Sequence, residues 1–135
     1  MSLENFILNS ESNKKIALYA RNEGKFNASV SRYYYSLFQS IKYVVLKTDP
    51  HYTTPEGKGS HDHLFYKFRK IVTCELTKEE RGCLSSFQDI KKLRKRADYD
   101  PEVIGSEVFY LEFLDKYKPL KNAVDKTVKN RKPIM

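Results

Sequence analysis

One cation in the stretch Leu93-Arg94-Lys95-Arg96-Ala97-Asp98-Tyr99-Asp100-Pro101 falls where a solvated side chain does not belong. Stepping about 100° per residue along a helix over residues 83–98 gathers Cys83, Leu84, Phe87, Ile90, Leu93 and Ala97 on one apolar face. Arg94 projects within roughly 20° of the middle of that face. Lys92, Lys95 and Arg96 fall on or near the opposite side. A guanidinium on a core face must be desolvated, which is unfavourable unless an anion or several acceptors meet it. Asp98, one turn further on, is within reach of such a pairing. Two readings follow. Arg94 and Asp98 form a structural ion pair that locks the end of the helix, or Arg94 faces a crevice and contacts a phosphate or a scissile phosphodiester.

The elements that must position these residues read as helices. An opening helix runs from about Leu3 to Asn22, with the polar run Asn9-Ser10-Glu11-Ser12-Asn13 as a point of interruption, and Gly24 ends it. A second helix, about Phe26 to Lys47, carries Val30, Tyr33, Tyr34, Leu37, Ile41, Val44 and Val45 on one face, with Arg32, Gln39 and Lys42 opposite. Thr48 to Gly59 holds two Pro and two Gly without periodicity and reads as a loop. Ser60 is placed to cap a third helix bearing Leu64, Phe65, Phe68, Ile71 and Val72. Thr77-Lys78-Glu79-Glu80 is a capping box opening the helix that contains Arg94. Pro101 and Gly105 break the chain, and Ser106 is placed to cap a last helix with the stripe Tyr110, Phe113, Leu114, Tyr117, Leu120, Val124 and Val128, kinked or divided at Pro119. No strand pattern competes, so the expected fold is all-α, a bundle of four to five mostly antiparallel helices. Residues 1–130 are expected to form one domain and 131–135 a frayed tail.

Composition narrows the function classes. The longest apolar run is too short to span a bilayer, so no membrane is expected. Met1-Ser2-Leu3-Glu4-Asn5 lacks the basic start and apolar core of a signal peptide. Cys74 and Cys83, the two cysteines, read as small buried hydrophobes rather than a disulfide or metal pair, which suits a reducing cytoplasm. The balance of 25 Lys and Arg against 17 Asp and Glu gives a formal charge of +8. The cations cluster at Lys67–Lys70, at Lys91–Arg96 and from Lys116 to Lys132, which favours a polyanion over a neutral small molecule.

Three segments together, Ser31-Arg32-Tyr33-Tyr34-Tyr35-Ser36-Leu37-Phe38, Gly59-Ser60-His61 and Arg94-Lys95-Arg96-Ala97-Asp98-Tyr99-Asp100, resemble the HEPN superfamily, and in particular its small prokaryotic members with an Arg-x-x-Ala-Asp-Tyr segment. The resemblance covers nearly the whole chain, with order and spacing preserved. It implies a helical bundle that forms a homodimer, with the Arg segments of two protomers meeting in a shared cleft. It also implies an RNA-directed effector, in many members a metal-independent ribonuclease of a toxin–antitoxin or antiphage system, in several cases paired with a nucleotidyltransferase antitoxin. The sequence departs from the nuclease pattern at one place. Active members carry His about a turn after the Arg, whereas Tyr99 stands there here and no His follows Arg94. A tyrosine of ordinary pKa, about 10, is a poor general base at neutral pH. It still hydrogen-bonds a phosphate or ribose. The alternative is therefore a noncatalytic module that holds a nucleotide or a partner protein.

His61-Asp62-His63 opens the third helix, where free backbone N–H groups favour an anion. His61 either supplies the imidazole absent after Arg94 or is an ordinary first-turn residue hydrogen-bonded to the loop. Spacing alone cannot set it beside Arg94, which favours the second reading. A metal site from His51, His61, His63 and Asp62 is disfavoured, because adjacent helical residues diverge by about 100°. No metal or cofactor is expected. Tyr33 and Tyr34 read as core or edge aromatics whose hydroxyls reach water. Tyr35 and Tyr43 project toward the polar side, fit for a dimer interface or for stacking on bases. The candidate catalytic set is thus Arg94, Asp98, Tyr99 and His61, and the candidate RNA- or nucleotide-binding set is Arg94, Lys95, Tyr35 and Lys91.

Overall fold

A helix that presents apolar side chains on more than one side must be covered on more than one side, and the second helix is such a case. In the computed structural model, which describes residues 2–54, 59–100 and 102–132, this helix, α2 (Phe26–Thr48), is the central element. It packs against α1 (Glu4–Asn22), α3 (Ser60–Val72), α5 (Phe87–Tyr99) and α6 (Asp115–Lys129). Between α3 and α5 lies the short α4 (Lys78–Cys83). The architecture is an all-α bundle, with no strand among the described residues. No described helix is long and apolar enough to cross a membrane.

The apolar face read for α2 is buried throughout, from Val30 to Val45. The helix is nonetheless covered more widely than one stripe. Tyr43, expected on the polar side, is 1% exposed, and its hydroxyl donates to the Arg131 carbonyl at 3.4 Å. On another flank of α2, α1 packs through small residues. Ser29, Ser36 and Ser40 of α2 are buried against Ser10, Ala17 and Ala20 of α1. The Ser29 hydroxyl donates to the Ala17 carbonyl at 2.8 Å, and the Ser10 hydroxyl donates to the Ser36 carbonyl at 2.7 Å and meets Ser40 Oγ at 2.7 Å. The polar run at Asn9–Asn13 therefore does not interrupt α1. Ser10 faces inward and is satisfied by α2, which removes the cost of burying it. Gly24, at φ +72°, ends α1, and the Lys25 N–H then reaches the Ala20 carbonyl at 2.8 Å.

Four expectations about helix ends and registers change. Gly59, at φ +89°, precedes α3 and occupies the left-handed region that glycine tolerates, while Ser60 is the first helical residue and makes no capping bond. The capping box is present, with Glu80 N–H to Thr77 Oγ1 at 3.2 Å and Thr77 N–H to Glu80 Oε1 at 2.8 Å. It opens only α4, because a tight turn at Leu84–Ser86 separates α4 from α5. There the Ser85 hydroxyl takes the Gly82 carbonyl at 2.8 Å, a local bond that competes with the helical ladder. Cys83 is left half-buried beside that turn, and Cys74, expected to be buried, is exposed in the short turn after α3. At the last helix, Phe109 N–H bonds to the Gly105 carbonyl at 3.0 Å, and no side-chain cap from Ser106 forms.

The stripe of the last helix also shifts. Val108–Leu114 is wound as a π-helix that runs directly into α6. Its wider turn accommodates an extra residue, so Phe109 enters the core at 0% exposed and Tyr110 is left 44% exposed. From Phe113 to Val128 the expected residues are buried. The helix passes through Pro119 without ending, with the widened turn immediately before it.

The C-terminal segment is tied down as far as Arg131. Its guanidinium bonds both carboxylate oxygens of Glu75, at 2.8 and 2.7 Å, and also Thr48 Oγ1 at 2.7 Å. Pro101, residues 55–58 of the expected loop and residues 133–135 of the expected tail lie outside the described residues.

Candidate functional site

Arg94 is where its helical angle put it. The residue is 6% exposed, on the core side of α5 after Phe87 and Ile90, while Lys92 and Lys95 are exposed and Arg96 is half-buried. Asp98 meets it one turn on, with Nη1 to Oδ2 at 3.4 Å. That is long for a charge-assisted bond, and Nε has no hydrogen-bond partner among the described residues. The remaining neighbours are aromatic. The guanidinium carbon sits 4.8 Å from the centre of the Tyr34 ring and 5.9 Å from that of Tyr35. A cation over these faces gains from their quadrupoles. Arg94 is thus buried and held, yet under-satisfied.

It also borders an open cleft of about 380 Å³ between the start of α3 and α5, where Ser60, His61, Asp62, Lys91 and Lys95 line the wall with it. Lys91 Nζ pairs with Asp62 at 2.9 Å, and Gln88 Nε2 donates to the same carboxylate at 3.0 Å. The hydrogen bond from Lys91, then that from Gln88, holds the Asp62 carboxyl below its ordinary range.

His61 enters this cleft from α3, and the structure sets it beside Arg94. Its Nδ1 lies 2.6 Å from the Tyr34 hydroxyl, and its ring stacks on Phe38 with centroids 4.1 Å apart. The partner is therefore a core tyrosine of α2 and not the loop. Tyr34, expected to reach water, is 0% exposed and bonded to His61 instead. Burial first, then the Arg94 and Lys91 charges, push His61 below the usual histidine value. Burial likewise raises Tyr34, so its phenol stays protonated. His63 turns away from His61 and bonds through Nδ1 to the Tyr52 hydroxyl at 2.7 Å.

Of the candidate residues, the cleft unites Arg94, His61, Lys91 and Lys95. Asp98 acts on it through Arg94, and Tyr35 borders the guanidinium from α2. Tyr99 is not part of the cleft lining. It ends α5 with 77% of its surface exposed. Sequence reading missed Tyr34 and Phe38 as partners of His61, since nothing in the spacing links α2 to the start of α3.

Known proteins add little. No family model matches the chain, and no solved structure matches it. An uncharacterized protein of the archaeon Methanocaldococcus jannaschii is 30% identical over 91 residues, covering 61% of this chain and 51% of that protein. The chain spans about half the length of this relative.

Proposed function

We propose that this chain is a HEPN-like RNA-directed effector whose Arg94 cleft receives an RNA phosphate, in a toxin–antitoxin or antiphage setting. The observation that carries this reading is the under-satisfied, 6% exposed Arg94 on the wall of an open cleft that also holds an imidazole and two lysines. Arg94 supplies the planar fork suited to phosphoryl oxygens, and Lys91 and Lys95 supply the surrounding positive field. The motif resemblance that suggested RNA points to the same residues.

Cleavage, if the cleft performs it, is metal-independent. The ribose 2′-oxygen attacks the adjacent phosphorus, a base takes the 2′-proton, and the 5′-oxygen leaves with a proton, giving a cyclic phosphate and a 5′-hydroxyl. His61, which lines the cleft, and Arg94 would contact the phosphoryl oxygens and stabilise charge on them. The second reading is a noncatalytic module that holds a nucleotide or a partner such as a nucleotidyltransferase. The position of Tyr99 favours it, because no histidine occupies that place.

Self-association belongs to the proposal. Tyr99 at the end of α5, Val103 after it and Leu111 in the π-helix are 77%, 81% and 67% exposed. Tyr110 joins them, packing edge-on against Phe26 at 5.9 Å. An apolar group of this kind suits a second copy of the chain.

The test is cleavage of a structured RNA pool in EDTA by wild type, Arg94→Ala and His61→Ala, each with a melting curve. Loss with both variants, at unchanged folding, supports the nuclease. Intact RNA with clean wild type moves the function to binding.

A further inference from the structure

The hydrogen bond between Tyr34 and His61 has a direction, and the surroundings decide it. Two polar groups lie beside Tyr34: the Arg94 guanidinium, over the ring at 4.8 Å, and His61 Nδ1, 2.6 Å from the hydroxyl. A guanidinium only donates. It cannot receive the phenolic proton. No acceptor other than His61 Nδ1 meets the Tyr34 hydroxyl among the described residues, and Tyr34 is fully buried. If Nδ1 carried the proton and donated to the phenol, the phenolic O–H would be left buried without an acceptor, an unfavourable arrangement. If the phenol donates to Nδ1, its proton is placed, and the Arg94 cation stays over the ring face. The second arrangement pairs both the phenolic proton and Nδ1. It leaves the proton of the neutral imidazole on Nε2.

Nε2 is also the nitrogen left for a ligand. The ring face is covered by Phe38, and the Nδ1 edge is taken by Tyr34. Nε2 makes no hydrogen bond among the described residues, and His61 lines the cleft.

We infer that Tyr34 is a positioning residue that fixes His61 as the Nε2–H tautomer, so that the cleft offers a neutral N–H donor beside Arg94 to a phosphoryl oxygen. This rests on reading the cleft as a phosphate site, and it sharpens that reading. With its one lone pair occupied by Tyr34, the imidazole has no nitrogen free to take a proton from a ribose hydroxyl. The cleft is built to hold the anion. The charged groups around His61 agree with a neutral ring: Arg94 and Lys91 from α5 and Lys42 from α2 oppose a second positive charge, and Asp62 beside it is neutralised by Lys91.

The experiment is a long-range proton–nitrogen correlation of the histidine rings in the 15N-labelled full chain at neutral pH, with His61 assigned from a His61→Gln variant. The expected spectrum shows Nδ1 bearing a lone pair and Nε2 bearing the proton. Adding inorganic phosphate is expected to move the Nε2 signal, and Tyr34→Phe is expected to give a mixture of tautomers. A wild-type ring protonated on Nδ1 overturns the inference, whether or not Tyr34→Phe folds. A single Nε2–H tautomer that persists in folded Tyr34→Phe removes Tyr34 from the role. An Nε2 signal indifferent to phosphate removes the ligand. RNA binding measured on the same sample separates the claims: binding that depends on Arg94 with the proton on Nδ1 sinks this inference and leaves the RNA reading standing.

Discussion

The Tyr34 hydroxyl and His61 Nδ1 lie 2.6 Å apart, and the Arg94 guanidinium sits over the face of that same tyrosine at 4.8 Å. One buried ring of α2 therefore joins an imidazole of α3 to a cation of α5. The three helices meet at the cleft because α2 packs against both of the others.

Arg94 and Asp98 should respond unequally to truncation. The cation is the buried partner, at 8% side-chain exposure against 25% for the aspartate. Asp98→Ala strands a buried charge, while Arg94→Met leaves only an acid that water already reaches. The expected loss for Asp98→Ala is about 1–3 kcal/mol, scaled for a long and partly screened pair, and larger than that for Arg94→Met. Chemical denaturation of both variants checks the order. The reverse order would show that Arg94 is kept for the fold and not for the cleft.

The pH dependence follows from the depressed His61. The unfolded chain takes up this proton near 6.5, the folded chain only at lower pH. Between those two values the unfolded state binds more protons, so stability falls as pH drops through the window. Melting curves from about pH 7 down to about pH 5 should therefore fall more for wild type than for His61→Gln. Parallel curves would contradict the neutral, enclosed imidazole.

The interface of α1 and α2 should be intolerant of size at Ser10. Ser10→Leu overfills a contact built from small residues and is expected to cost about 1–3 kcal/mol, whereas Ser10→Ala loses hydrogen bonds worth about 1 kcal/mol. Equal stability for wild type and Ser10→Leu in a denaturant titration would mean that the helices do not approach this closely.

Arg131 should matter although it follows the last helix. Its fork on Glu75 joins the end of α6 to the segment after α3. Arg131→Ala is expected to lower stability by about 1–2 kcal/mol, and the difference should shrink once Glu75 is also changed to Gln. A thermal melt of the single and double variants measures it.

What the sequence makes legible here is local. The burial of Arg94, the approach of Asp98, the capping box at Thr77 and the core face of α2 all follow from helical period and short-range spacing, and each is present. Three features depend on neighbours far along the chain and leave no such mark. Ser10 looks like a helix interruption until Ser36 and Ser40 are set against it. Tyr43 looks exposed until Arg131, 88 residues on, is set against it. Tyr34 and His61 are 27 residues apart, on helices whose approach no spacing rule supplies. The widened turn at Val108–Leu114 moved Phe109 inward, because a period of 3.6 assumes an unbroken α-helix.

The central claim is that the Arg94 cleft holds RNA phosphate. Its most direct test is the binding of a short single-stranded RNA, in EDTA and at fixed salt, to wild type, Arg94→Lys and Arg94→Gln that melt as folded proteins. Losing the planar fork should weaken binding about tenfold or more, with Arg94→Lys intermediate, because a hydrogen bond to a charged group contributes about 1.5–3 kcal/mol. Equal binding by all three proteins would contradict the account and leave Arg94 as a structural cation.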